Sequence, residues 1–172
     1  MISATPRRAR CLKPAPTVGG AAEDRLSSLK TLGKTLSPEE YEQRGEDVWV
    51  AKSAKLYPNV YIAGPTIIGP ETEVRPAHLS AATRSSALAA SSQFHRGENA
   101  ILFDGAQAPH YNYIGDSVMG HKAHTGAGAV TSNLKQDHSN VTVLKDGERV
   151  ETGMRKFGAC WATTPKSAAA AF

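Results

Sequence analysis

Val50, Leu56, Ile62, Ile68 and Val74 stand six residues apart without a miss, and the residues four places after each are Ala54, Val60, Thr66, Thr72 and His78. Six is the period of a hexapeptide coil, in which three short strands make one flat turn and the turns stack as a parallel β-helix. Each hexad sends one aliphatic side chain inward and sets a small residue at the corner, where a bulkier Cβ strains the bend. Alternation of period two also brings residues six apart onto one face, so an antiparallel meander is the competing reading. Pro58, Pro65, Pro70 and Pro76, with no long polar connectors between them, favour the coil.

The pattern stops over Ala77 to Gln93, which is small and polar with no aliphatic at any sixth position, and resumes at Ile101-Leu102-Phe103. Aliphatic or threonine steps into glycine then follow at Ile114-Gly115, Met119-Gly120 and Thr125-Gly126. Val141 to Leu144 reads as a strand closed by Asp146-Gly147, a dipeptide suited to a tight hairpin. Ahead of the coil, Leu26, Leu29, Leu32 and Leu36 recur at three and four, predicting a short amphipathic helix interrupted by Gly33. Ser37-Pro38-Glu39-Glu40 carries the signature of a second helix start, with Ser37 as N-cap, Pro38 in the first position and Glu40 reaching back. These helices are expected to cap the open end of the coil, whose unpaired strand edges would otherwise template aggregation. The expected organisation is a disordered basic tail over 1–22, a helical cap over 23–46, a coil domain over 47–160 with an irregular stretch at 77–98, and an aberrant tail over 161–172.

Composition changes this picture little. The 172 residues hold 20 Lys+Arg against 16 Asp+Glu, a net charge of +4. Arg7, Arg8, Arg10 and Lys13 lie in an acid-free Met1 to Ala22. The remaining chain is therefore neutral, and its charge does not point to nucleic acid. The tail has no apolar run for a signal-peptide core or a membrane span. Arginine-rich, acid-poor composition also fits a transit peptide, although a disordered leader or an early start codon is the preferred account. Cys11 and Cys160 form neither a disulfide framework nor a zinc spacing, so a reducing cytoplasm is expected. His110, His121, His124 and His138 match no zinc pattern either, and no metal is expected.

The most specific wording is Pro109-His110-Tyr111-Asn112-Tyr113-Ile114-Gly115-Asp116, followed by Gly126-Ala127-Gly128-Ala129-Val130-Thr131-Ser132-Asn133. The pair of motifs resembles the left-handed β-helix domain of the bifunctional N-acetylglucosamine-1-phosphate uridylyltransferase/glucosamine-1-phosphate acetyltransferase. It is more closely similar to the short stand-alone relatives called UDP-N-acetylglucosamine pyrophosphorylase-related proteins. The resemblance runs from about Asp47 to Ala159. It implies an all-β, single-stranded left-handed parallel β-helix, a homotrimer, and acetyl-CoA-dependent acyl transfer to an amino-sugar phosphate or nucleotide sugar. It also implies that His110 is catalytic, that Arg75, Tyr113 and Asn133 contact the substrate, and that Gly126, Ala127 and Gly128 lie in the coenzyme groove. The Gly-rich nucleotide-binding domain of the bifunctional enzymes has no counterpart ahead of Asp47, so uridylyl transfer is not expected. His124 departs from the family, standing where the acetyltransferase uses asparagine.

The residue types suit that chemistry. Acyl transfer from a thioester to an amine needs a base, donors for the oxyanion, and contacts for phosphates. An imidazole accepts and releases a proton near neutrality. The planar fork of arginine grips phosphate in a bidentate way, and a Gly-Ala-Gly corner lets backbone amides approach a ligand closely. Lys122 and Lys135 are candidates for the coenzyme's phosphates. Each assignment has a structural rival: His110 as a corner residue bonded to a carbonyl, Arg75 paired with Glu71 or Glu73, Tyr113 as packing, and the lysines as solvated surface. A non-catalytic trimeric sugar-nucleotide-binding scaffold is the alternative function.

A further reading concerns the silent stretches. One encoding of Leu79 to Ala87, read one frame over, spells Ile-Arg-Gly-Asn-Ala-Leu-Val-Gly, which is coil sequence. His95 to Glu98 recodes likewise as Thr-Glu-Val-Lys, and the residues after Cys160 as Leu-Gly-Asp-Asn-Ala-Glu-Val. On this reading 77–98 and the C-terminal tail are frameshifted, and the chain is an inactive product.

Overall fold

A computed structural model of the chain describes residues 20–76, 79–80, 86–87, 91–92, 96–145 and 147–161. Residues 1–19 of the expected disordered tail and 162–172 of the expected aberrant tail fall outside these, while Gly20 to Ala22 belong to a helix and Trp161 to a strand rather than to tails. Helix α1 (Gly20–Lys34) leads into β1 (Tyr41–Gly45), β2 (Val48–Ala51), β3 (Lys55–Leu56), β4 (Tyr61–Ile62), β5 (Thr66–Ile68) and β6 (Glu73–Val74). There follow β7 (Leu79–Ser80), β8 (Ser86–Ala87), β9 (Ser91–Ser92), β10 (Arg96–Glu98), β11 (Ile101–Leu102), β12 (Gln107–Ala108), β13 (Tyr113–Gly115) and β14 (Val118–Met119). A hairpin, β15 (Thr142–Lys145) and β16 (Glu148–Glu151), precedes β17 (Cys160–Trp161).

From β2 onward the chain visits three sheets in rotation. The first runs β1-β2-β5-β8-β11-β14-β17, the second β3-β6-β9-β12 and the third β4-β7-β10-β13. Pairing within each is parallel, apart from antiparallel β1 on β2. Val48 pairs with Thr66 and Lys55 with Glu73, eighteen residues on, so one circuit is three hexads. Val50, Leu56, Ile62, Ile68 and Val74 are each the last residue of a strand or the one before it, on successive sheets in turn. The antiparallel meander is thereby excluded for this region.

The interior is divided. Val48, Val50, Ile68 and Val74, with Ala54, Leu56, Val60 and Ile62, form one apolar cluster. Ala100, Leu102, Ala106, Ala108, Ile114, Met119 and Ala123, with Trp161, form another. Between them β7, β8 and β9 carry the stretch that reads as a break in the sequence, yet their backbones pair on both sides, β4 with β7 and β7 with β10 among them. Strand hydrogen bonds do not require aliphatic side chains, so the rotation continues where the hydrophobic pattern lapses.

The cap differs from the expected pair of helices. Gly33 does not interrupt α1, which runs on to Lys34. A Cβ at Gly33 would overlap the Trp49 ring, so the missing side chain lets the helix lie on the outer face of β2. That contact explains why all four residues of Val48–Ala51 are buried, the inward and the outward alike. The second helix is absent. Ser37 to Glu40 makes one turn, with the amides of Glu40 and Tyr41 donating to the Ser37 carbonyl at 3.1 and 2.9 Å. Tyr41–Gly45 then pairs with β2, because a free strand edge rewards every residue that joins it. The hairpin closes as expected, Lys145 opposite Glu148. Among the described residues no helix is long and apolar enough to cross a membrane.

Candidate functional site

Residues remote in sequence stand on separate circuits along the corner between the second and third sheets. Arg75 leaves β6 there, His110 and Tyr111 leave β12 two circuits on, and Gly126 to Gly128 occupy it one circuit further. The Gly128 amide donates to the His110 carbonyl at 2.8 Å. Asn112, 2% exposed, fixes both ends of the glycine turn: its Nδ2 donates to Thr125 Oγ1 at 2.6 Å and its Oδ1 accepts from the Ala129 amide at 2.7 Å.

His110 and Tyr111 both have φ 61, a left-handed conformation that costs a non-glycine residue roughly 1–2 kcal/mol. The His110 side chain is exposed, and its imidazole has no hydrogen-bond partner among the described residues. The rival carbonyl bond is therefore not made by its ring. Gly128, at φ 69, meets the conformational demand of the next circuit, and a Cβ on either Gly126 or Gly128 would meet no atom within 4 Å. The turn is thus an open backbone shelf beside His110. Arg75 is not joined to it: its Nε lies 3.6 Å from the Glu73 carboxylate, and two strand spacings, roughly 10 Å, separate it from His110.

A second cluster lies on the outer face of the third sheet. The Tyr113 hydroxyl donates to Glu98 Oε2 at 3.0 Å, and Asn133 Nδ2 donates to the same hydroxyl at 3.2 Å and to Asp116 Oδ2 at 2.6 Å. Asn99 Nδ2 holds the other Asp116 oxygen at 2.8 Å, and Arg96 Nε donates to Glu98 Oε1 at 2.8 Å. Gly115 is what lets the Tyr113 ring lie here, since a Cβ would fall 2.5 Å from the hydroxyl and 2.7 Å from Asn133 Nδ2. Burial pushes the Tyr113 phenol up; the Asn133 bond opposes this, and the Glu98 and Asp116 carboxylates add to it. Burial works against ionised Glu98, but bonds from Arg96 and Tyr113 and the charges of Arg96 and Lys156 outweigh it, holding the carboxyl below its usual value.

Asn133 also lines an open groove of about 600 Å³ with Leu134, Lys135, Val141 and Phe157. There Lys135 Nζ donates to Ser139 Oγ at 3.3 Å. His124 Nδ1 lies 3.1 Å from Gln107 Oε1, on the second sheet. Of the sequence-derived candidates, then, Tyr113 joins Asn133, Asn133 shares a groove with Lys135, and His110 sits on the glycine turn, while Arg75 stands apart. Sequence reasoning missed Glu98, Asp116, Asn99 and Asn112. The signal for three of this network was Asn99, Asp116 and Asn133 at a constant spacing of seventeen.

No family model matches the chain. It is 37% identical over 62 residues to a bifunctional sugar-1-phosphate nucleotidylyltransferase/acetyltransferase of Sulfurisphaera tokodaii, covering 36% of this chain and 16% of that protein. It is 31% identical over 127 residues to the bifunctional protein GlmU of Methanococcus aeolicus, covering 61% of this chain and 30% of that one. With GlmU of Carboxydothermus hydrogenoformans the identity is 26% over 162 residues, 74% of this chain and 36% of that one. The chain is GlmU-related. It spans about a third or less of the length of these GlmU relatives.

Proposed function

We propose that this GlmU-related chain transfers an acetyl group from acetyl-CoA to the amine of an amino-sugar phosphate or nucleotide sugar. The observation that carries the reading is the His110 imidazole, without a hydrogen-bond partner among the described residues, beside the open Gly126–Gly128 turn, its backbone tied to that turn by the 2.8 Å bond. Acetyl-CoA supplies the activated acyl carbon as a thioester. The open shelf of Gly126, Ala127 and Gly128 is the stretch that would hold the coenzyme, with Lys135, in the groove beside Asn133, as a further contact, and the missing Cβ atoms of the two glycines suit close passage of a chain. His110 takes the proton of the attacking amine; the new C–N bond forms as the C–S bond breaks, and the proton passes from His110 to the departing sulfur. Asn133 and Tyr113 position the sugar, and Arg75 meets a phosphate.

His110 and Asn133 lie on neighbouring circuits with too few groups around them to enclose a substrate. The proposal therefore includes a left-handed coil, against the usual right-handed crossover, and three chains packed side by side in the cytoplasm, a neighbour supplying the other wall. Light scattering that finds monomer alone removes the trimer. Release of free thiol from acetyl-CoA with glucosamine 1-phosphate tests the chemistry, and His110→Ala is expected to lower it by about 10²–10⁴. Sugar-nucleotide binding without thiol release supports instead a scaffold. That second reading is favoured by the lack, among the described residues, of any group orienting the His110 ring. The frameshift reading is favoured by the small residues Ser80, Ser86, Ala87, Ser91 and Ser92 in β7 to β9, and the DNA sequence of 77–98 decides it.

A further inference from the structure

Valence fixes the hydrogen positions around Tyr113. Ionised Glu98 only accepts, so the Tyr113 hydroxyl gives its single proton to Glu98 Oε2. Asn133 Nδ2 gives one hydrogen to the Tyr113 oxygen and the other to Asp116. Its Oδ1 carries no hydrogen bond among the described residues, although the residue is 9% exposed. That oxygen is not closed off from solvent, so the donor of a ligand can reach it. Arg96, half exposed, spends its Nε and an Nη on Glu98 Oε1, the oxygen turned from Tyr113, and Lys156 acts on Glu98 through charge alone. What Tyr113 and Asn133 present is thus a pair of acceptors. A phosphate seated on Tyr113 would have to strip the hydroxyl from Glu98 and stand as a third anion beside Glu98 and Asp116.

We propose that Glu98 is a specificity-determining residue: it makes the Tyr113–Asn133 face an acceptor subsite that takes the N–H or O–H donors of a sugar and turns phosphate away. Any phosphate on the ligand then falls to the Arg75 corner. The sugar's identity rests on the amino-sugar reading above; the polarity of the subsite does not.

The test is calorimetric titration of the whole chain with inorganic phosphate and, separately, with glucosamine. In the parent chain Tyr113→Phe is expected to leave phosphate affinity within about threefold, since the hydroxyl makes no bond to it. Glu98→Lys is expected to strengthen phosphate by about tenfold or more, the worth of a charge-assisted bond, and adding Tyr113→Phe should cancel part of that gain. Glu98→Gln, closer in shape, should give a smaller gain in phosphate and a loss in glucosamine, and it serves if the lysine variant does not fold. The proposal is overturned if Tyr113→Phe alone weakens phosphate tenfold, if neither Glu98 variant gains phosphate, or if glucosamine does not bind the parent. Thiol release from acetyl-CoA is read independently. Its failure with the phosphate pattern intact removes acyl transfer and leaves the subsite, and the reverse outcome removes the subsite alone.

Discussion

Filling the gap between the two apolar clusters should stabilise the chain markedly. The register sets Ala87 between Ile68 and Leu102, Ser92 between Val74 and Ala108, and Ser80 between Ile62 and Gly97. In the circuits on either side, Ile68, Val74, Leu102 and Ala108 at these positions are buried. Burying an aliphatic side chain is worth about 1.5–3 kcal/mol, so Ala87→Leu, Ser92→Val and Ser80→Val together add at most about 4–9 kcal/mol, an upper range because unfolded chains already bury some surface. At this length each kcal/mol raises Tm by about 2–4 °C, so that upper range caps the rise of the triple variant at roughly 8–36 °C. The assay is a circular-dichroism melt with a parallel urea titration. Ser92→Val alone, a small step, separates overpacking from a wrong register. If every single variant lowers Tm or leaves it unmoved, these positions do not face the interior, and 77–98 is an insertion rather than a circuit.

Three further outcomes are expected. His110→Gly relieves the left-handed φ of 61 and should raise stability by about 1 kcal/mol while thiol release falls by about 10²–10⁴; a drop in Tm would mean that the imidazole holds the fold. Gly115→Ala should cost about 1–3 kcal/mol by displacing the Tyr113 ring, and Tyr113→Ala in the same chain should recover most of that loss in a double-mutant cycle. Because the folded-state pKa of Glu98 lies below its ordinary 4.5, its contribution is present above that value and is lost as pH falls through the depressed one. Acid melts should therefore show a loss below pH 4.5 that Glu98→Gln abolishes.

How far the sequence reveals this molecule depends on the length of the circuit. Up to Val74 a circuit is eighteen residues, a multiple of six, so one aliphatic row announces all three sheets. From Arg96 the spacing is seventeen, Arg96 opposite Tyr113 and Ile101 opposite Val118, and a fixed count of six slips one place per circuit. That slip conceals the Asn99, Asp116 and Asn133 column, and with it the network around Tyr113. Ser37-Pro38-Glu39-Glu40 misled for another reason. Capping signatures describe the chain's own local preference, and the exposed edge of β2 outbid it. Gly33 read as a helix breaker because the Trp49 ring it accommodates comes from a different element. The motif around His110 was legible as wording, but the stacking that places Gly128 under it is a property of the circuit.

The antiparallel β1 has a consequence for self-association. A stack of parallel circuits grows by presenting three strand edges at once, and a second molecule could in principle continue the column coaxially. At this end β3 and β4 are the outermost described strands of their sheets, but on the first sheet β1 runs the opposite way to all the rest. An incoming circuit in register with two edges would meet a mismatched donor and acceptor sequence on the third. One reversed strand of five residues thus acts as a polymerisation stop without covering the other two faces, a cheaper safeguard than a full lid.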